Sequence, residues 1–238
     1  MKTISQSLIR DMLKPEGYCG HYLNKVYNEG FRTQPSDAMV NGLFFEQAIL
    51  GRTRDGELIE LPKSKTNGAK LKRETDLEQD IEFAKKVLEL NKIQFDNCQF
   101  LRETSFMHGH LDAAGTFNNV KYLFDLKYTG MSFDQWEREL KWSDISAHFK
   151  LQAMHYQAIY GDALPFMFLL FGSNWCRFFE IKYNPEAVAH HTDVALEALE
   201  TFNTMDYRAT TDSRLCFDCP MKYVCEVRNW TIEIESID

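Results

Sequence analysis

The sequence has 238 residues, of which 44% are hydrophobic and 26% are charged, and its net charge is −8. This composition excludes a fibrous or intrinsically disordered chain, and no apolar run approaches the roughly 18 residues that a membrane span requires. The negative charge also excludes indiscriminate binding to polyanions, so any nucleic-acid site has to be local. The first residues interleave charged and apolar side chains, unlike a secretory signal, and we therefore expect a cytoplasmic protein without membrane association.

The first 91 residues are predicted to be mainly helical. Ser36 and Asp37 are typical of a helix start and Gly51 of a helix end, which bounds one compact apolar helix. Residues 52–73 are instead polar and turn-rich, with seven basic and three acidic side chains. Apolar residues at helical spacing define four predicted helices, at about 3–14, 21–28, 38–50 and 75–91.

From Cys98 the apolar period changes to two, which is typical of strands. Three strands are expected to form an antiparallel meander, and Asn118-Asn119 provides the second turn. Further helices and two more strands follow. The predicted strands are about 98–107, 109–117, 120–128, 164–172 and 175–183, and the later helices are about 132–140, 144–160 and 185–205. This order predicts an α/β fold with a mixed central sheet flanked by helices.

Two carboxylates and a lysine are expected to meet in one cleft of this sheet. Residues two apart on a strand share a face, so Asp125 and Lys127 project together, and Asp112 lies on the preceding strand across a tight turn. Hard oxygen ligands hold Mg²⁺ or Mn²⁺, and such a metal neutralises charge and acidifies a bound water during phosphodiester cleavage. The pattern therefore indicates a metal-dependent phosphodiesterase.

The same residues resemble the PD-(D/E)XK nuclease superfamily, whose signature is an acid, a turn and then acid-x-Lys. Asp112 matches the first acid and Asp125-Leu126-Lys127 the remainder. Glu46, four residues after a glycine, resembles the upstream element of the RecB-like members. Gln152 and Tyr156 resemble their Gln-x-x-x-Tyr motif, in which residues i and i+4 share a helix face.

The resemblance implies a restriction-endonuclease-like core and a role for each matching residue. Glu46, Asp112, Asp125 and the backbone carbonyl of Leu126 would bind the metal, and Lys127 would orient or deprotonate water and stabilise the transition state. Gln152 and Tyr156 would bind substrate. His110 shares the face of Asp112, where it would contact metal or phosphate or serve as a structural histidine.

The implied activity is a metal-dependent DNA exonuclease that acts at DNA ends in recombination, repair or phage DNA processing. One alternative is a CRISPR-associated nuclease that trims DNA before spacer capture. Another is a non-catalytic protein that binds DNA ends. The partners would be DNA ends or single strands, together with a helicase or recombinase on a separate chain. The basic residues 52–73 would guide DNA or form a solvated loop, and Trp136 and Trp142 would stack on bases.

Four of the six cysteines have spacing that indicates metal or cluster ligation, because cytosolic cysteines stay reduced. Cys216, Cys219 and Cys225 form a C-x2-C-x5-C triplet, and Cys19 supplies a fourth thiol. Spacing alone leaves a [4Fe–4S] cluster, Zn²⁺ and metal-free thiols open. The pattern resembles that of AddB-type and CRISPR-associated RecB-like nucleases, which implies the iron–sulfur cluster. We expect a single nuclease domain over residues 1–238, in which such a cluster joins residues 1–30 to residues 206–230.

Overall fold

The structure is a computed structural model. It describes residues 2–14, 17–54, 56–61, 72–139, 142–209, 213–217, 219–222 and 224–225. The helices are α1 (Gln6–Met12), α2 (Gly20–Tyr27), α3 (Asp37–Leu50), α4 (Lys72–Leu90), α5 (Phe133–Glu139), α6 (Trp142–Tyr160), α7 (Pro185–Thr204) and α8 (Ser213–Phe217). The strands are β1 (Ile4–Ser5), β2 (Ile93–Glu103), β3 (Met107–Phe117), β4 (Val120–Tyr128), β5 (Phe166–Gly172) and β6 (Trp175–Ile181).

The described strands form a six-stranded mixed sheet in the order β1-β3-β4-β5-β6, and β2 pairs with β3. The β2–β3, β3–β4 and β5–β6 pairs are antiparallel, and the first two of these form the meander that the sequence predicted. The β4–β5 pair is parallel, because the chain crosses over through α5 and α6 before it returns to the sheet. The short β1 runs parallel to the start of β3, and the sequence analysis did not predict it.

Helices cover both faces of the sheet, and β5 has its side chains in both of the resulting cores. Phe166 and Phe168 belong to a core that includes residues of α1, α6 and α7. Met167, Leu169 and Phe171 belong to a second core that includes residues of α3 and α4. A strand buried on both faces has a continuous apolar sequence rather than an alternating one, which explains the run FMFLLF. The predicted α/β class with a mixed central sheet is confirmed.

Local sequence signals set several boundaries of the elements. The hydroxyl of Ser36 accepts a hydrogen bond from the backbone N–H of Met39 at the start of α3, and Gly51 ends that helix with a φ of 74°. Asn118 and Asn119 both have positive φ, which fits the tight turn expected between β3 and β4. Sequence analysis placed the start of β2 five residues too late, because a bulge between Phe95 and Asn97 interrupts the alternation of apolar and polar residues.

The segment after α7 contacts the second helix of the chain. Gly20 at the start of α2 lies so close to Asp206 that an added Cβ would collide with its backbone carbonyl oxygen. α1 also contacts α7. Parts of the chain almost 190 residues apart are therefore packed together. Among the described helices, none is long and apolar enough to cross a membrane.

Candidate active site

The candidate site lies where β3 and β4 separate. Their ladder runs from Phe117–Val120 to Ala113–Phe124, so the next position would place Asp112 opposite Asp125. At this position Asp112 contacts β4 through its side chain and not through its backbone. Its Oδ2 accepts a hydrogen bond of 2.9 Å from the backbone N–H of Leu126. The separated strands leave both carboxylates at one point of the sheet.

Asp125 is held by two side chains although it is almost completely buried. Gln152 on α6 donates a 2.6 Å hydrogen bond from Nε2 to Oδ1 of Asp125, and the ammonium group of Lys127 pairs with Oδ2. Burial raises the pKa of Asp125 to about 6, because the positive charge of Lys127 offsets the loss of hydration only in part. The side chain of Lys127 remains 36% exposed, although its ammonium group faces Asp125.

Glu46 brings a third carboxylate to these two from α3. Its Oε1 accepts a hydrogen bond from Nε2 of Gln99 on β2. Burial, and next the negative charge of Asp112, raise the pKa of Glu46 to about 8. Phe45, the preceding residue, stacks on Tyr128 with ring centroids 4.6 Å apart, and this contact fixes α3 against β4.

A second cation enters the site from the loop that follows α3. Nη2 of Arg54 lies 3.2 Å from Oδ1 of Asp112. The loop is anchored to α3 because the side-chain oxygen of Gln47 accepts a 2.7 Å hydrogen bond from the backbone N–H of Ile59. The sequence analysis counted Arg54 only as part of a basic segment, and half of that segment lies outside the described residues.

Gln152 and Tyr156 lie next to each other on α6, as their spacing predicted. Both are 8% exposed, and the ring of Tyr156 stacks on Phe166 with centroids 5.7 Å apart. Gly109 makes room for that ring, because a Cβ there would lie 2.8 Å from Cε1 of Tyr156. In this structure Gln152 and Tyr156 therefore pack between the acidic residues of the site and the hydrophobic core.

In the described part of the chain three carboxylates lie near one another beside two cations, and such a set of oxygen donors is chemically suited to a hard divalent cation. Within the described residues, however, no three His, Cys, Asp or Glu side chains are yet arranged closely enough to hold a metal. Arg54 and Lys127 occupy an oxygen of Asp112 and one of Asp125, respectively. A metal would therefore take over oxygens that these two cations now contact.

The four cysteines highlighted by the sequence lie together at the junction of α2 with the C-terminal residues. All four line a small cavity of about 30 Å³. Burial raises the pKa of Cys219, and the nearby Cys19, Cys216 and Cys225 raise it further. All four cysteines are partly buried, so the chain brings the predicted ligands into one neighbourhood.

The histidines and tryptophans have mainly structural positions where they are described. His155 is fully buried and contacts the backbone oxygen of His108 and the ring of His191. Trp136 was expected to stack on bases, but it is 6% exposed and packs on Trp175 at 5.3 Å, so that prediction is wrong. The side chain of Trp142 lies outside the described residues.

Comparisons with solved structures identify the fold. A structure from Eubacterium rectale, described as a candidate exonuclease, aligns with a TM-score of 0.66 and 15% identity and covers 98% of this chain and 94% of its own. LHK-Exo, an alkaline exonuclease from Laribacter hongkongensis solved with dAMP, aligns with a TM-score of 0.50 and 10% identity over 85% of this chain and 88% of its own. No protein-family model and no curated protein matches the sequence. The sheet and its helices have the restriction-endonuclease-like fold.

Proposed function

We propose that the protein is a metal-dependent DNA exonuclease that hydrolyses phosphodiester bonds at DNA ends, in recombination, repair or phage DNA processing. The observation that carries the proposal is the convergence of Glu46, Asp112, Asp125 and Lys127 where β3 and β4 separate. The similarity in fold to proteins described as exonucleases supports the same activity. DNA is therefore the proposed substrate.

In this proposal Glu46, Asp112, Asp125 and the backbone carbonyl of Leu126 hold Mg²⁺ or Mn²⁺. Such an ion supplies neutralisation of phosphate charge and a more acidic bound water. The oxygen-only donor set favours these hard ions over zinc.

The chain's own residues position the substrate and stabilise its charge. Lys127 is fixed by its ion pair with Asp125, so its ammonium group is held at the site, where it orients the attacking water and stabilises charge developing on the phosphate. Gln152 keeps Asp125 in one orientation. Arg54 is the second cation of the cleft and attracts the DNA phosphates.

The proposal is tested with end-labelled linear DNA and circular DNA, incubated with Mg²⁺, Mn²⁺ or a chelator. We expect metal-dependent loss of the linear substrate only. Lys127→Ala should lower the rate by about 100-fold or more, as loss of one transition-state donor does elsewhere. Lys121→Ala, an exposed lysine on the same strand, is the matched control. Wild-type levels of cleavage by Lys127→Ala would refute this mechanism, and binding of ends without cleavage would favour a non-catalytic protein.

We further propose that Cys19, Cys216, Cys219 and Cys225 hold a [4Fe–4S] cluster, with Zn²⁺ as the alternative. The cavity that all four cysteines line and their partial burial support a shared ligand site. Its role would be structural, since ligands at residue 19 and residues 216–225 join the two ends of the fold.

A further inference from the structure

Gln99 has an unusual backbone for a residue inside a strand. Its φ is 48°, in the left-handed region, yet Cys98 and Phe100 on either side keep their antiparallel partners Ala113 and Leu111. Gln99 therefore stands in register with Asp112. A bulky residue holds this conformation only where its surroundings fix it, and such positions cluster at functional sites.

The side chain of Gln99 is bound at one end only. It is 2% exposed, and its Nε2 donates to Oε1 of Glu46. Its own carbonyl oxygen, Oε1, is buried without a hydrogen-bond partner among the described residues. A buried acceptor normally has a hydrogen-bond partner, so this oxygen, on the same amide group that holds Glu46, points to a donor molecule that binds in the cleft.

A role in packing alone would not account for these features. An apolar side chain could fill the same space between β2 and α3 without leaving a polar atom unpaired, and a residue such as asparagine or glycine would suit the left-handed backbone better. The feature of Gln99 that packing does not explain is its amide group, whose N–H already donates to Glu46.

We propose that Gln99 is a positioning residue of the metal-binding cleft: its amide N–H fixes the carboxylate of Glu46, and its carbonyl oxygen accepts a hydrogen bond from a water molecule in that cleft. The inference rests on the proposed function, since it assigns Gln99 to the same site. Residues that orient metal ligands contribute to metal affinity, and their loss typically weakens metal binding by about 10- to 100-fold.

The test measures Mn²⁺ binding to the full chain without DNA, from the electron paramagnetic resonance signal of free Mn²⁺. Gln99→Met keeps the length of the side chain but removes both polar atoms. Gln99→Asn keeps an amide and suits the backbone, but it is one methylene too short to reach Glu46. Both should bind Mn²⁺ about 10-fold or more weakly. Gln94→Met, an exposed position on the same strand, should bind as the wild type does.

Kinetics and thermal melting separate this role from a structural one. For both variants we expect a lower kcat for DNA hydrolysis with a KM for DNA within about twofold of the wild type, and a melting temperature close to that of the wild type. Wild-type Mn²⁺ affinity in either folded variant would overturn the inference, as would the failure of both variants to fold or the absence of Mn²⁺ binding by the wild type. If the wild type binds Mn²⁺ but does not cleave DNA, the proposed function fails and the role of Gln99 in the metal site is still decided by the binding data.

Discussion

Gln152 and Asp125 are joined by a 2.6 Å hydrogen bond between α6 and β4, and both side chains are buried. Gln152→Leu would leave Oδ1 of Asp125 without its donor in a place that water does not reach. We expect a loss of about 1–3 kcal/mol in the free energy of unfolding, measured by urea denaturation. DNA hydrolysis should also fall about 10-fold or more. Lys150→Ala, an exposed change on α6, should alter neither quantity, and full activity of Gln152→Leu would contradict the assigned role.

Because Arg54 contacts Asp112, its replacement should have opposite effects on Mn²⁺ binding and on DNA hydrolysis. Arg54→Ala removes a cation that occupies an oxygen of the proposed metal ligand. The pair is partly exposed and screened by solvent, so Mn²⁺ binding should strengthen by only about 2- to 5-fold. DNA hydrolysis at low substrate concentration should weaken, because a phosphate-binding charge is lost. Calorimetry with Mn²⁺ and initial rates measure the two effects, with Arg52→Ala on the same loop as the control. Weaker Mn²⁺ binding by Arg54→Ala would refute the competition.

The buried pair of His155 and His191 predicts a loss of stability in mild acid. Burial lowers the pKa of each from 6.5 to about 4. Between these values the unfolded chain binds more protons than the folded one, so this contribution is complete above pH 6.5 and is lost as the pH falls toward 4. The loss should be on the order of 3 kcal/mol for each of the two histidines.

Asp125 and Glu46 contribute to the same pH range with the opposite sign, because their pKa values are raised in the folded protein. The histidines are therefore best followed directly, by the imidazole proton resonances in a titration from pH 7.5 to 5. Both buried rings should remain neutral throughout, whereas free histidine added to the same solution is the control that protonates. Midpoints near 6.5 for His155 and His191 would contradict the prediction.

The cysteine site predicts a metal content that depends on single thiols. Cys219→Ser should lose bound iron, or zinc if that is the ion, and should melt at a lower temperature than the wild type, since binding energy at such a site contributes to folding. Cys176→Ser changes a half-buried thiol outside the site and should retain the metal. Elemental analysis and the visible spectrum provide the measurement. A metal-free wild type purified without oxygen would contradict the proposed cluster.

The sequence predicted those parts of the site that follow from strand and helix periodicity. Asp125 and Lys127 lie two apart, and Gln152 and Tyr156 lie four apart, so each pair shares a face once the element forms. Arg54 was not assigned to the site because its position depends on a loop that returns a long side chain to a strand 58 residues later. Gln99 was missed because no sequence pattern marks a left-handed residue in the middle of a strand.

β1 was missed for a related reason. Two residues are too few to display a period, and Ile4 and Ser5 pair with β3 only because that strand is already in place more than a hundred residues later. The parallel pairing of β4 with β5 could be expected from the intervening helices. The separation of β3 and β4 at Asp112, which opens the cleft, depends on tertiary packing and not on local sequence preference.

The close approach of Gly20 to Asp206 also bears on the synthesis of the chain. Translation proceeds from the N-terminus, at about 5–20 residues per second. α2 therefore emerges from the ribosome many seconds before its partner segment. During this time part of its apolar surface is exposed to solvent. The contact closes only after the helix that ends at Thr204 has left the exit tunnel. A ribosome that stalls earlier would release a chain that contains Asp112 and Asp125 but whose first helices lack their contact with the segment after α7. Chaperones and proteases would readily bind such fragments.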